Sequence, residues 1–565
     1  MSPPRLTSLR LLLLLLLLQA VSIYTSSSSS SSSSSVSIFA HAQTPPNNNT
    51  NQKIQWGPCA IDPSPSFQCG NVTVPLDWTD NASAPLTIEL IKYVASKGER
   101  NGSGSGSGSG SAKSILVNFG GPGASGQQLM VTLGPVLQAV TGGHYDLISF
   151  DPRGAGKTIP LSCHKTAAAR VNFTLQNPYV NGHESDTALG RLWASGQNMA
   201  AACADADADA DGGDGGREDG IGGLLGFAFG ARDYVRVAEV LGGAGGDGLV
   251  RYYGLSAGTV LGATIAAMFP DRIDRMVLDG VWNIHEYYHS HAVEGFTSTD
   301  ATFTGFLHAC LAAGPSNCAL AAAAPPATNA ADLEAATYAL IERVKYHPIP
   351  HAGKLVDYTF VRNVVFLGQT TVAQWPALAA FLAALLFSTP QNATTALDAA
   401  LQTLSAGEDP AFTESRFGIQ CGDKPGRAAA LADVLGVVEA VSARSRLAGD
   451  RIAFDVETCA QWRMGAKERY LGDFDVATRQ PVLVIGNTYD PVTPLVSARN
   501  ASASLKGSVL LEHHGFGHCS LQQVSRCTAR LTTAYYENGT LPEPGTVCEV
   551  DLPPFSNVTW QDVLL

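Results

Sequence analysis

Short apolar runs that end in glycine- or proline-rich turns, and then lead into helical patterns, are the strongest constraint on how this chain folds. The runs lie at 115–119, 145–150, 250–253, 275–278 and 481–485. Strands that alternate with helices predict a mostly parallel sheet covered on both faces. In such sheets functional side chains gather at the carboxyl ends of strands. We therefore expect an α/β protein whose site lies at that edge.

Composition excludes several classes of protein. The chain has 565 residues, of which 45% are hydrophobic, so it can bury a large core and is neither disordered throughout nor collagen-like. Its 49 Asp and Glu residues outnumber 36 Lys and Arg residues, giving a formal charge of −13. A chain with this balance lacks the basic surface that neutralises phosphates, so nucleic acid is not an expected partner.

The first 42 residues have the features of a secretory signal. Arg5 and Arg10 precede eight leucines at 11–18, and Ala-His-Ala at 40–42 fits a cleavage site. The apolar stretch is shorter than the roughly 20 residues of a membrane span, so a permanent anchor is the lesser alternative. Nine glycosylation sequons agree with an extracellular route. They lie at Asn48, Asn71, Asn81, Asn101, Asn172, Asn392, Asn500, Asn538 and Asn557.

Changes in composition predict the domain organisation. The Gly-Ser alternation at 102–111 and the Ala-Asp and glycine repeats at 203–223 have no side chains to bury, so we expect surface loops there. The segment 282–417 is rich in Ala/Leu helical patterns and separates two strand regions. We expect it to be a helical cap inserted between the first part of the core, at 43–281, and the second part, at 418–565.

The segment 254–258 reads Gly-Leu-Ser-Ala-Gly and fits G-x-S-x-G. Small flanking residues let the chain turn so sharply that the Ser256 hydroxyl projects above the sheet. The motif follows an apolar strand and precedes a helical run at 259–269, which is the strand-turn-helix setting that such a nucleophile needs. The alternative is an incidental serine in a tight turn.

A serine nucleophile needs a base, and the base needs a carboxylate that orients it. Asp490 lies just after the strand-like run at 481–485, and His518 lies on a glycine-flanked loop after a further run at 509–511. In α/β-hydrolases the order is serine, acid, histidine. The alternatives are a turn residue before a proline for Asp490 and a surface loop histidine for His518. His513 and His514 are rivals that lie nearer the strand.

Acyl transfer also needs N–H donors that face the developing oxyanion. We expect one donor to be the Ala257 backbone N–H, which follows the nucleophile. A second is expected from Gly120 or Gly121, after an early strand, although glycines there can also serve only a tight turn.

These motifs together resemble the tripeptidyl aminopeptidase-like branch of the prolyl aminopeptidase family of secreted serine α/β-hydrolases. The resemblance covers roughly residues 56–560, and Ala257 departs from it because an aromatic residue is common there. The matching stretches lie at 74–78, 118–126, 150–154, 253–259, 269–272, 277–280, 420–423, 486–494 and 517–518. The resemblance implies an α/β-hydrolase fold with Ser256, Asp490 and His518 as a catalytic triad. It also implies hydrolysis near the free N-terminus of a peptide substrate.

A substrate's free N-terminus is bound through its ammonium group, which calls for carboxylates near the cap. Glu286, Glu294 and Asp423 are candidates by position, and ordinary surface acids are the alternative.

A competing pattern, H-E-x-x-H, begins at His285 and ends at His289. On a helix it would place two imidazoles on one face with Glu286 as a base, as in zinc proteases. His291 is too close to share that face, and no downstream motif supplies a third ligand. We therefore expect no metal and no other cofactor.

The eleven cysteines are paired by default in an oxidising compartment. Short spacing and the family resemblance imply Cys59–Cys69, Cys163–Cys203, Cys310–Cys318, Cys421–Cys459 and Cys527–Cys548 as bridges. Cys519 is left unpaired beside His518, either buried and inert or sensitive to thiol reagents.

The sequence thus predicts a secreted serine exopeptidase that forms an acyl-enzyme on Ser256. A carboxylesterase or lipase is the second candidate, because the same triad cleaves esters. A non-catalytic binding protein with a hydrolase fold is a third.

Overall fold

The computed structural model describes residues 52–97, 113–209, 220–243, 247–289, 293–388, 397–398, 401, 411–556, 558 and 560–564. The strands in these residues are β1 (Gly57–Pro58), β2 (Phe67–Pro75), β3 (Pro85–Tyr93), β4 (Ser114–Asn118), β5 (Asp146–Phe150), β6 (Val250–Leu255), β7 (Ile273–Asp279), β8 (Ile349–His351), β9 (Lys354–Val356), β10 (Leu483–Tyr489), β11 (Val509–Phe516) and β12 (Val547–Glu549). Ten of them form one sheet in the order β1-β2-β3-β5-β4-β6-β7-β10-β11-β12. From β5 to β12 every neighbouring pair is parallel.

Burial along the strands explains this topology. β5 and β6 are buried at every position, as expected for parallel strands with helices on both faces. β2 alternates buried and exposed residues over its second half and pairs antiparallel with β3 at the side of the sheet. The α/β-hydrolase fold expected from the sequence is confirmed, with an antiparallel extension, β1 to β3, that the sequence analysis did not include.

Helices cover the sheet and fill the segment between β7 and β10. They are α1 (Gly126–Val140), α2 (Ala167–Gln176), α3 (Ala188–Asp209), α4 (Phe227–Gly242), α5 (Ala257–Met268), α6 (Ile284–Tyr288), α7 (Thr299–Ala313), α8 (Ala319–Ala323), α9 (Ala330–Tyr346), α10 (Tyr358–Thr370), α11 (Trp375–Phe387), α12 (Phe412–Asp423), α13 (Leu435–Ser442), α14 (Ile452–Ala460), α15 (Leu495–Ser504), α16 (Arg526–Asn538) and α17 (Trp560–Leu564). No helix among the described residues is long and apolar enough to cross a membrane.

The helices α7 to α11 share a hydrophobic core of their own. Phe306, Val361 and Trp375 are buried in it, and Phe516 at the end of β11 packs against it from the sheet. Leu447 belongs to the same core although it lies beyond the boundary at 417 that the composition suggested. The core therefore reaches past the expected end of the inserted segment.

The expected surface loop at 203–223 is wrong in its first part. α3 continues through the Ala-Asp repeat to Asp209, because alanine favours a helix. The aspartates of the repeat face outward or cap a neighbouring segment. The Asp207 carboxylate accepts hydrogen bonds from the backbone N–H groups of Ile221 and Gly222. Residues 210–219, the expected leader at 1–42 and the Gly-Ser insert at 102–111 lie outside the described residues.

Five predicted glycosylation sites lie on described residues, and all five asparagines are exposed. They are Asn71, Asn81, Asn172, Asn500 and Asn538. The sites at Asn48, Asn101, Asn392 and Asn557 lie outside the described residues.

Five disulfides join the same cysteines that the sequence analysis paired. The bridges are Cys59–Cys69, Cys163–Cys203, Cys310–Cys318, Cys421–Cys459 and Cys527–Cys548. Cys519 is free and buried.

Candidate active site

The turn between β6 and α5 places Ser256 at the carboxyl edge of the sheet. Ser256 has φ 55° and ψ −126°, in the strained left-handed half of backbone space that a serine adopts rarely. Its backbone N–H donates to the Asp279 carbonyl at 3.1 Å. Two residues on, a Cβ on Gly258 would lie 2.4 Å from the Asn118 carbonyl oxygen. Glycine at 258 therefore lets α5 start directly against β4, and the sharp turn exposes the serine side chain.

Asp490 and His518 lie together at the same edge. Asp490 directly follows β10, and His518 lies on the loop after β11. The His518 Nδ1 atom is 3.0 Å from each Asp490 carboxylate oxygen. Asp490 is fully buried and also accepts hydrogen bonds from the backbone N–H groups of Val492, Thr493 and Cys519. These bonds fix the carboxylate so that it orients the imidazole.

The two groups shift each other's protonation. Burial alone would raise the pKa of Asp490, but the His518 charge and the hydrogen bonds to the carboxylate outweigh burial and leave that pKa below its ordinary value. Burial would lower the pKa of His518, whereas the charge and hydrogen bond of Asp490, with a contribution from Asp279, raise it above its ordinary value. The pair thus favours an ionised acid beside a histidine that binds protons readily.

Since Nδ1 of His518 faces Asp490, Nε2 is the nitrogen left to accept a proton from Ser256. None of the described hydrogen bonds joins the Ser256 hydroxyl to His518. Such bonds often form only when substrate is bound, so this geometry is compatible with a resting triad.

The loop after β4 lies beside the nucleophile turn. A Cβ on Gly120 would lie 2.9 Å from both the Ser256 Cβ and the Ala257 nitrogen, so this loop touches the turn. The Gly120 N–H already donates to the Asn118 side-chain oxygen at 2.9 Å, which favours Gly121 as the second oxyanion donor. The Gly121 and Ala257 N–H groups donate to no acceptor among the described residues, and they remain the candidate pair.

The three acids considered for binding a substrate ammonium differ in their surroundings. Asp423 is fully buried, accepts hydrogen bonds from the Phe227 N–H and the Tyr287 hydroxyl, and has its pKa raised by burial to about 7. This enclosure argues against Asp423 as the group that binds a substrate ammonium.

Glu294 is also unsuited to bind an ammonium group. Its carboxylate accepts hydrogen bonds from the side chains of Asn283, Ser497 and Asn500, which fix it between the turn before α6 and helix α15. Glu286 is half-buried, and its carboxylate accepts the Glu294 backbone N–H at 3.1 Å. Of the three acids, only Glu286 stays a candidate.

The H-E-x-x-H pattern does not form the two-histidine face of a zinc protease. α6 has only five residues and ends before His289. The His285 Nε2 atom lies 2.8 Å from the Ser504 hydroxyl. Among the described residues, the side chains of a metal-binding type that lie close together in a group of three are Asp490, His518 and Cys519, at the candidate triad itself.

The rival histidines have other partners. His513 is fully buried with Nδ1 2.9 Å from the Thr528 hydroxyl, and His514 lies 3.4 Å from a Glu549 carboxylate oxygen. Neither of these pairs includes Asp490, and this leaves His518 as the base candidate.

Thr493 is a site residue that the sequence analysis missed. Its hydroxyl donates to Asp490 at 2.8 Å and lies 3.2 Å from the His518 Nδ1 atom. The available signal was its position in the turn after the acid, where an Asp side chain commonly accepts backbone N–H groups two or three residues on, as Asp490 does from Val492 and Thr493.

Comparisons with known proteins agree with this geometry. The family described as "alpha/beta hydrolase fold" matches residues 113–310, and the family described as "TAP-like protein" matches residues 445–548. The tripeptidyl aminopeptidase of Streptomyces coelicolor is 32% identical over 237 residues, which are 41% of this chain and 38% of that protein. The match therefore spans well under half of that relative's length.

Two mycobacterial relatives extend the comparison. The serine protease Hip1 of Mycobacterium tuberculosis is 22% identical over 526 residues, covering 88% of this chain and 91% of that protein. Carboxylesterase B of the same species is 32% identical over 102 residues, covering 18% of this chain and 17% of that protein.

Proposed function

We propose that this chain, an α/β-hydrolase with a TAP-like C-terminal region, is a secreted serine exopeptidase that cleaves peptide bonds near free N-termini. The observation that carries the proposal is the hydrogen-bonded Asp490–His518 pair at the strand edge where the β6–α5 turn presents Ser256. The tripeptidyl aminopeptidase and Hip1 relatives support a peptide substrate over other acyl compounds.

The proposed reaction follows from the three side chains. His518 takes the Ser256 proton on Nε2 while the serine oxygen forms a bond to the scissile carbonyl carbon. The Gly121 and Ala257 N–H groups stabilise the oxyanion of the tetrahedral intermediate. The carbon–nitrogen bond then breaks, His518 donates its proton to the leaving amine, and the acyl group stays on the serine. Water activated by His518 releases the acid product and restores Ser256.

The helices between β7 and β10 are proposed to act as a cap over this edge. Their shared core, separate from the core beneath the sheet, supports the proposal. The backbone N–H of His518 donates to the Thr370 carbonyl at the end of α10, at 2.7 Å, which ties the histidine loop to these helices. A cap in this position would limit the length of the peptide segment that reaches Ser256.

Secretion is part of the proposal. Disulfides form in oxidising compartments, and sequons are glycosylated on the secretory route. The five disulfides and five exposed sequons therefore support secretion. The sequence of the mature N-terminus, read from protein collected from the medium of a eukaryotic host, tests it. A start near residue 43 is expected, and retention of residues 1–42 inside the cell would contradict it.

The substrate proposal is tested with matched peptides and esters. Aminoacyl, dipeptidyl and tripeptidyl amides, each with a free or acetylated N-terminus, are compared with short and long acyl esters on the wild type and on Ser256→Ala. We expect cleavage of the free-N-terminal peptides and no activity in the variant. Activity that survives Ser256→Ala would overturn the mechanism.

A carboxylesterase is the second candidate, favoured by the identity shared with carboxylesterase B over 102 residues. It predicts that acyl esters are cleaved well and that a free ammonium group brings no advantage in kcat/KM. The same substrate panel separates the two functions.

A further inference from the structure

Asp279, at the carboxyl end of β7, contacts both segments that carry the candidate serine and histidine. Its carboxylate is fully buried. The Ser520 backbone N–H donates to Oδ1 at 2.9 Å, and the Ser520 hydroxyl donates to Oδ2 at 2.6 Å. The Tyr253 hydroxyl donates to Oδ2 at 2.9 Å. Tyr253 lies three residues before Ser256, and Ser520 lies two residues after His518, so one carboxylate joins the two segments.

The main chain at Asp279 and Gly280 also contacts both of these segments. The Asp279 carbonyl accepts the Ser256 backbone N–H at 3.1 Å. The next residue, Gly280, has φ +66°, and a Cβ there would lie 2.4 Å from the Cys519 sulfur. The end of β7 is thus packed directly between the nucleophile turn and the histidine loop, with no room for a larger residue.

We propose that Asp279 is a positioning residue that sets the distance and orientation between Ser256 and His518. The inference rests on the proposed function, because it assigns Ser256 and His518 their roles. These two residues come from distant parts of the sequence, and no hydrogen bond described in the structure joins their side chains. Their alignment therefore depends on a third element, and the Asp279 carboxylate bonds to both of their segments.

The charge of Asp279 also acts on the histidine. The ionisable groups that face Asp279 are Tyr253, His518, Cys519 and Asp490. Burial raises the pKa of Asp279 to about 6, against the lowering effect of its three hydrogen bonds. When ionised, Asp279 adds to Asp490 in raising the pKa of His518. Removing the Asp279 charge therefore lowers the pKa of His518.

The test replaces the carboxylate with its neutral amide, Asp279→Asn, in the full-length secreted protein. Asparagine offers one acceptor oxygen where three donors now converge, so the two segments separate. We expect labelling of Ser256 by a fluorophosphonate probe to slow about 10- to 100-fold, since small displacements of a catalytic pair cost that much. We also expect kcat to fall with KM little changed, and Cys519 to react faster with iodoacetamide.

The pH profile separates positioning from a merely structural role. Loss of the negative charge moves the acid limb of kcat/KM to lower pH, whereas simple loosening of the fold reduces the amplitude and leaves the limb in place. Asp274→Asn is the matched control, because Asp274 lies on the same strand and its described ion pairs, with Arg251 and Arg275, include no candidate site residue. It should label, titrate and hydrolyse like the wild type.

Two milder variants cover the case in which Asp279→Asn does not fold. Ser520→Ala removes one donor on the histidine side, and Tyr253→Phe removes the donor on the serine side. Each should slow labelling severalfold. If the folded variants all label within about twofold of the wild type, with an unshifted acid limb, the proposal is overturned.

The same probe distinguishes failure of this inference from failure of the proposed function. A wild type that labels at Ser256 but cleaves no peptide refutes the exopeptidase and leaves the Asp279 comparison to be decided by labelling rates. A wild type that does not label refutes both proposals.

Discussion

Arg153 and Asp233 form a buried, two-bonded ion pair: the Arg153 Nε donates to Asp233 Oδ2 at 2.6 Å and Nη2 donates to Oδ1 at 2.9 Å. The Trp78 indole N–H donates to the same carboxylate at 2.7 Å, and the Pro75 carbonyl accepts from Arg153 at 2.8 Å. Two of the motifs that carry the family resemblance, at 74–78 and 150–154, are therefore joined through α4. We therefore expect this pair to contribute to stability.

Asp233→Ala should destabilise the fold by about 3–5 kcal/mol, because it leaves the Arg153 charge buried without a partner. Chemical denaturation followed by tryptophan fluorescence measures the change. Glu89→Gln is the control, since the Lys157–Glu89 pair is 59% and 47% exposed and should contribute less than about 1 kcal/mol. Equal losses in the two variants would contradict the assignment.

The raised pKa of His518 predicts how activity depends on pH. The base must be neutral to accept the Ser256 proton, so kcat/KM falls as pH decreases through the His518 pKa, which lies above the ordinary value of 6.5. We expect the midpoint of the acid limb above that value. Asp490→Asn removes the group that raises the pKa, so the limb moves to lower pH and kcat falls by about 10³- to 10⁴-fold. A wild-type midpoint at or below 6.5 is the contrary result.

Glu457 predicts that stability declines with rising pH. It lies on α14, is fully buried, and neither carboxylate oxygen has a hydrogen-bond partner in the described structure. Burial raises its pKa to about 8 from an ordinary value of 4.5. The folded state keeps the proton that the unfolded state releases, so this group's contribution is complete below pH 4.5 and is lost as pH rises towards 8.

Glu457→Gln should remove this contribution. Between pH 5 and 7.5 the wild type should lose up to about 1.4 kcal/mol of unfolding free energy per pH unit from this residue, relative to the variant. Urea denaturation across that range measures both slopes. Glu439→Gln, at an exposed carboxylate on α13, is the control and should keep the wild-type slope. Parallel curves for Glu457→Gln and wild type would contradict the prediction.

Substitution of Gly258 by alanine should reduce both stability and activity. An alanine there places its methyl group 2.4 Å from the Asn118 carbonyl, so α5 and β4 must separate. We expect a loss of about 1–3 kcal/mol, as for overpacked cores. Activity should fall further, because the Asn118 side chain also accepts the Gly120 N–H, in the loop that carries the candidate oxyanion donor Gly121.

Gly436→Ala on α13 is a matched control, with nothing within 4 Å of the new methyl group. It should be neutral or slightly stabilising, by about 0.4–1 kcal/mol. Comparable losses at the two glycines, measured by thermal unfolding and phosphonate labelling, would argue against the close approach.

Much of the fold was predictable because its signals are local. The run at 250–253 and the glycines around Ser256 specify strand, turn and helix within ten residues, and β10 ends at Tyr489, directly before Asp490. Order and placement therefore sufficed to propose Ser256, Asp490 and His518 as a triad from the sequence.

What was missed depends on contacts between distant segments. Asp279 looks like any strand-end acid until Tyr253 and Ser520 are seen to converge on it. The sequence gives no reason to prefer Gly120 or Gly121 as the oxyanion donor. The hydrogen bond from the Gly120 N–H to the Asn118 side chain distinguishes them. The short Ala-Asp repeat has the composition of a surface loop, although alanine propensity extends α3 through it.

The sheet places β7 beside β10, although about 200 residues of chain separate them. During synthesis, Ser256 therefore emerges from the ribosome long before Asp490 and His518 have been added to the chain. A nascent chain shorter than 518 residues holds a serine with no base to activate it. On the proposed function, hydrolysis would therefore require that β10 and β11 have joined the sheet, and a partly synthesised chain would be inactive.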